Sequence, residues 1–103
     1  MALDPKLIPV GLPWCREEDY SAFISIFEDA DDLPKTWKDF IKPYERAEKG
    51  FKEKGQLVVR VYINPRTFPE WCANKGYRIN AKARERFAAE IAIKQQRNAG
   101  GPW

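Results

Sequence analysis

The sequence predicts an α+β domain, mostly helical, built around one central strand. Three observations carry this reading. The run Leu57-Val58-Val59-Arg60-Val61-Tyr62-Ile63 has the two-residue period of a strand, with Leu57, Val59, Val61 and Ile63 on one apolar face. Two segments before it and two after it repeat apolar residues at helical spacing. Finally, 103 residues with 44% apolar and 14% aromatic side chains suit one modest folded core.

The elements follow in order. Residues 1–14 are punctuated by Pro5, Pro9 and Pro13 and read as extended, with Leu7-Ile8-Pro9-Val10 as a short candidate edge strand. From Arg16 to Glu28, Tyr20, Phe23, Ile24 and Phe27 fall at i, i+3, i+4 and i+7 and predict the first helix. Glu17, Glu18 and Asp19 place negative charge in its first turn, where it complements the helix dipole. Asp29-Ala30-Asp31-Asp32-Leu33-Pro34 breaks the pattern, and Asp32 or Thr36 can cap the next helix. There Trp37, Phe40, Ile41, Tyr44, Ala47 and Phe51 form one stripe that keeps its phase across Pro43. Both halves are therefore expected on one core face, as one kinked helix or two abutting ones, ending at Gly55.

Beyond the strand, Asn64-Pro65 turns the chain and Thr67-Phe68-Pro69-Glu70 has the form of a capping box. It predicts a short helix from Phe68 to Lys75, stopped by Gly76. Asn80 then caps a last helix running from Ala81 to about Arg97, with Ala83, Phe87, Ala88 and Ile91 as its buried stripe. The reading is a single domain over residues 1–97, with 98–103 expected as a flexible tail.

A lone strand cannot satisfy its own backbone groups. The candidates to pair with residues 57–63 are residues 7–10, Tyr77-Arg78-Ile79, or the same strand of a second copy in a two-fold antiparallel dimer.

Charge is unevenly spread behind a net of +3. Residues 1–33 carry two basic and eight acidic side chains, whereas residues 57–103 carry nine basic and three acidic ones. Such a gradient steers an anionic partner toward the C-terminal half, or lets the two ends attract each other within the fold or across a dimer.

Histidine is absent, which removes Ser–His and Cys–His nucleophile pairs and histidine-ligated zinc. Cys15 and Cys72 form no C-x-x-C pair, and no glycine-rich phosphate loop is present. The acidic run Glu28-Asp29-Ala30-Asp31-Asp32 lacks the spacing and central glycine of a calcium loop and reads as a solvated helix terminus. No catalytic, cofactor-binding or metal-binding residue is expected, and the chain reads as no enzyme. The N-terminus lacks the layout of a signal peptide and no stretch is apolar enough to span a membrane. A cytoplasmic location is expected, with both cysteines reduced and buried.

The closing third holds a helix, a glycine-bearing turn and a basic helix. Aligning Gly76 on the glycine of a compact helix-turn-helix motif puts Lys75, Lys82 and Glu85 where that motif buries apolar side chains, so the compact form fails. A looser unit over residues 68–97 survives. In it Lys82, Arg84 and Arg86 are expected on the exposed face, with Lys75 and Arg78 flanking, all five within reach of phosphates.

The run Phe68-x-x-Trp71-Cys72-x-x-x-Gly76 followed by Ala83-Arg84-x-x-Phe87-Ala88 resembles the C-terminal part of small uncharacterised bacterial proteins. The resemblance covers about a quarter of the chain. It implies a bacterial or phage-related origin and carries no activity with it. The expected role is a small non-enzymatic domain acting through protein–protein contact or self-association as a homodimer. Nucleic-acid binding through residues 68–97 is the alternative. Neither a membrane nor a small-molecule substrate is indicated.

Overall fold

A computed structural model describes residues 8–100. The chain opens on strand β1 (Val10–Trp14), then helices α1 (Tyr20–Ile26) and α2 (Trp37–Glu53), strand β2 (Val58–Tyr62), and helices α3 (Phe68–Lys75) and α4 (Ala81–Gly100). Single turns of 3-10 helix precede α1 at Glu17–Asp19 and follow it at Ala30–Asp32. The α+β class with most of the chain helical is as expected. The order is not, because a strand rather than a helix comes first.

The partner of β2 is β1, in parallel, with Val10 opposite Val58 and Trp14 opposite Tyr62. Of the two candidates within the chain, residues 7–10 give way to Val10–Trp14, and residues 77–79 do not pair with β2. The strand starts at Val10 rather than ending there, and residues 77–79 bond elsewhere, the Ile79 carbonyl accepting from the Glu28 N–H at 3.0 Å and the Tyr77 N–H donating to the end of α3. The physical reason lies in the parallel ladder. The Val10 N–H reaches the Leu57 carbonyl and the Ile63 N–H reaches the Trp14 carbonyl, so Val10, Leu12 and Trp14 turn their backbone groups toward β2. Pro13 falls between them, its nitrogen facing away, and no ladder bond is lost.

Helices cover both faces of this two-stranded sheet. On one side Trp14 packs against Tyr44 of α2, with ring centroids 6.5 Å apart, and Arg60 reaches Glu48 of the same helix. On the other, Val61 meets Ala88 and Ala92 of α4, and all three are buried. The main core joins Leu12, Trp14, Phe23, Phe27, Phe40, Ile41, Ile63 and Phe68. Its rings interlock, as in the edge-on Phe23–Phe40 pair at 5.2 Å.

Local signals behave largely as read. Helix α2 runs unbroken through the exposed Pro43, with Phe40 and Ile41 buried and Trp37, Tyr44, Ala47 and Phe51 packed on the same core. The Thr36 hydroxyl accepts from the Asp39 N–H at 3.2 Å, and the Asn80 side chain accepts from the Ala83 N–H at 3.1 Å. Gly76 ends α3 in the left-handed region at φ 75°, where the Tyr77 N–H closes on the Cys72 carbonyl at 2.8 Å.

Three details differ. Thr67 makes no side-chain cap because its own backbone is already helical (φ −105°, ψ −19°), and Asn64 organises this turn instead by accepting the Arg66 N–H at 2.9 Å. The buried stripe of α4 is Ala83, Ala88 and Ala92, with Phe87 and Ile91 only half-buried beside it. Small residues sit at its centre because α4 rests on Gly11 of β1, where only a hydrogen separates the backbones. Helix α4 also continues to Gly100, into the expected tail, since Asn98 and Ala99 contain no breaker; residues 101–103 lie outside the described residues.

One prediction follows from the ladder. The alternation gives the Val61 N–H to the Leu12 carbonyl, so Val61→Pro removes a buried bond and leaves an acceptor unpaired. It is expected to cost about 1–3 kcal/mol in urea unfolding. An unchanged midpoint would mean that β2 is not paired there.

Candidate interaction surfaces

The five basic residues expected to meet phosphate do not form one face. Arg84 is a correction. It was expected in solvent, yet it is 4% exposed and belongs to the core. Its guanidinium makes a two-pronged ion pair with Asp29, Nη1 to Oδ1 at 3.0 Å and Nη2 to Oδ2 at 2.9 Å. It also lies 4.5 Å from the centre of the Phe27 ring. Its Nε has no hydrogen-bond partner among the described residues. A change at Lys82, Arg84 and Arg86 together would therefore break the fold, not only a surface. Arg84, Ala88 and Ala92 stand at i, i+4 and i+8, so the arginine shares the buried stripe of α4, a spacing that was legible once the alanines are taken as its centre.

The same pair corrects the acidic run at residues 28–32. Asp29 is no solvated terminus, since the Arg84 hydrogen bonds hold its carboxyl below the usual carboxylate range against the opposing effect of burial. Glu28 is tied to the other end of the turn: the Arg78 Nε donates to it at 3.0 Å and the Asn80 amide at 3.2 Å. Asp31 and Asp32 are exposed. Among the described residues no group of three acidic or cysteine side chains is arranged to hold a metal ion.

The remaining four cations stay at the surface. Lys75 reaches Glu90 at 3.2 Å and lies 5.8 Å from the Trp71 ring centre. Arg86 rests over the Tyr77 ring at 4.8 Å. Arg78 is largely in solvent despite its bond to Glu28. Lys82 is exposed. Arg78, Lys82 and Arg86 line one shallow depression of about 180 Å³ at the turn between α3 and α4. Lys75 stands outside it.

Both cysteines are fully buried. Burial, with Asp19 and Glu18 nearby, pushes the Cys15 thiol up to about 12, and burial alone raises Cys72. Neither is a thiolate at neutral pH. Two larger depressions adjoin the carboxyl ends of the strands. One of about 370 Å³ is lined by Arg16, Asp19, Tyr62, Ile63, Asn64 and Arg66, and its neighbour of about 380 Å³ shares Arg16 and Tyr62 with it. Both mix cations with carboxylates.

The second surface is the outer edge of β2. With Val59, Val61 and Ile63 turned to β1, the backbone N–H and C=O groups of Val58, Arg60 and Tyr62 point away from the sheet. No backbone partner reaches them among the described residues. Leu57 and Tyr62 flank this edge and are 39% and 47% exposed. Arg60 is held rigidly on it: the Nε and Nη2 atoms donate to the Glu48 carboxylate at 2.8 and 2.9 Å, and the guanidinium lies 4.1 Å over the Trp14 ring. Glu48 is in turn held below the usual carboxylate range by Arg60.

No protein-family model matches this chain, and no curated protein or solved structure matches it either. Among the described residues, no helix is long and apolar enough to cross a membrane.

Proposed function

We propose that the chain is a small non-enzymatic interaction domain whose working surface is the outer edge of β2. Its occupant is the β2 strand of a second copy, added antiparallel. One observation carries the reading: three alternate residues, Val58, Arg60 and Tyr62, present backbone donors and acceptors that are unpaired among the described residues, on a strand edge where Arg60 and Tyr62 are exposed. Such an edge templates strand addition unless it is blunted. The outer edge of β1 is blunted by Pro13, whereas β2 contains no proline. Two buried, free cysteines suit a reducing compartment, which supports work in the cytoplasm.

Side-chain chemistry selects the register. A two-fold axis at Arg60 would oppose two guanidinium groups. An axis at Val61 sets each Arg60 opposite the Tyr62 ring of the other copy, a favourable cross-strand pair, and joins both sheets into four strands.

Residue-resolved amide exchange with sedimentation equilibrium tests this. Val59, Val61 and Ile63 should be protected at every concentration, while Val58, Arg60 and Tyr62 should gain protection as the dimer forms. Tyr62→Pro removes an outer donor without touching the β1 ladder, and should yield a folded monomer. A wild-type monomer at all concentrations, with those three amides exchanging freely, would refute the reading.

A further inference from the structure

The depression between α3 and α4 is smaller than the two at the carboxyl ends of the strands and differs from them in charge. Arg78, Lys82 and Arg86 line it with Gly76, Tyr77 and Asn80, and no carboxylate does so. We propose that it seats one phosphate of a nucleic-acid backbone.

The three cations come from a turn and a helix start that are both fixed. Arg78 spends only its Nε on Glu28, which leaves four of its five N–H donors free to face outward. Arg86 lies over the Tyr77 ring at 4.8 Å and makes no ion pair with a described carboxylate, so its N–H donors remain available. Tyr77 is itself braced edge-on by Trp71 at 5.7 Å. Lys82 makes no ion pair with any described carboxylate. Gly76 adds no side chain to the rim, and open space surrounds its Cα. Bidentate arginines with a lysine as a point charge are the donor set that phosphate oxygens favour.

The hollow is open to solvent and has room for a phosphate group, and its surroundings select the source of that phosphate. A phosphorylated small molecule would need an adjoining apolar wall for its remainder, yet the nearest ring, Tyr77, is already taken up by Arg86 and Trp71. A polynucleotide needs no such wall, because its sugars and bases can stay in solvent while a backbone phosphate is held. The contacts are to backbone and not to bases, so binding is indifferent to sequence. Burial of Arg84 does not weaken the proposal, since that residue is not part of the depression.

The test is a nuclear magnetic resonance titration of the labelled protein at low salt. One arm uses short random-sequence DNA, duplex and single-stranded; the other uses inorganic phosphate. DNA should shift the amides of Gly76, Tyr77, Lys82 and Ala83, and binding should weaken steeply with salt. The double variant Lys82→Gln, Arg86→Gln alters two exposed side chains and should keep the wild-type melting temperature. It should bind DNA about tenfold more weakly or worse, with a salt slope smaller by about one. The proposal is overturned if DNA leaves these amides unmoved, or if the folded double variant binds as well as wild type. Shifts from inorganic phosphate with DNA binding no tighter would reassign the site to small phosphorylated ligands and equally end the nucleic-acid proposal.

Discussion

Gly11→Ala is expected to destabilise the protein by more than about 3 kcal/mol, an unusual cost for one added methyl group. A Cβ at this position would overlap the Ala88 carbonyl oxygen, with the Ala88 carbonyl carbon at 2.6 Å and the Ala92 Cβ at 2.9 Å. Backbone cannot rotate aside as a side chain can, so α4 must lift off β1. Overpacking alone costs about 1–3 kcal/mol. Lifting the helix also exposes Val61, Ala88 and Ala92, which are 2%, 0% and 0% exposed. The usual benefit of Gly→Ala, about 0.4–1 kcal/mol through the unfolded chain, is too small to compensate. Gly50→Ala is the internal control. It lies within α2 with nothing within 4 Å of the added carbon, so it should stabilise by about 0.5–1 kcal/mol. Urea unfolding of the two variants should therefore move in opposite directions. Equal midpoints would show that α4 does not rest on β1.

That contact explains why β1 was not legible in the sequence. Read alone, Gly11 and Pro13 both argue against a strand. Gly11 is demanded by a helix more than seventy residues later, and Pro13 is harmless only because of the direction of its partner. Neither reason is local. The elements that were legible have local causes: the alternation of β2, the stripe that crosses Pro43 in phase, the caps at Thr36 and Asn80, and the left-handed Gly76. The open edge of β2 was half legible. Its need for a partner could be read directly, but which side β1 would satisfy depended on the three-dimensional register.

The basic residues divide in the same way. Charge and helical spacing placed Arg78, Lys82 and Arg86 near one another, and the turn at Gly76 brings them to one depression. The charge of Arg84 argues for solvent, while its place on the helix argues for the core. Its position, one turn before Ala88, was the better guide. The Asp29 that neutralises it is fifty-five residues away, in a run that on its own looked like surface.

Asp29→Ala is expected to cost about 3–5 kcal/mol, a large part of the ~5–15 kcal/mol that holds a domain together. The loss is not mainly that of an attraction. The Arg84 side chain is 5% exposed and rests on Phe27, and without Asp29 its charge stays buried with no counterion. Arginine cannot escape by releasing its proton. Removing both charges is therefore the decisive comparison: Asp29→Ala with Arg84→Met should recover most of the loss, because an apolar replacement needs no counterion. If the double variant were as unstable as the single one, the cost would come from lost packing and not from the orphaned cation. The pH dependence has a definite sign. The folded-state pKa of Asp29 is lowered, first by the Arg84 hydrogen bonds, so its contribution is complete above the unfolded value of about 3.9 and fades as pH falls through the folded one. Glu48 and Glu90 are also lowered by their partners and add to the acid sensitivity of the wild type. The stability difference between wild type and Asp29→Ala should thus be constant from neutral pH to about pH 5, then shrink below pH 4. A difference that stayed constant into acid would mean that the Asp29 carboxylate does not compensate Arg84.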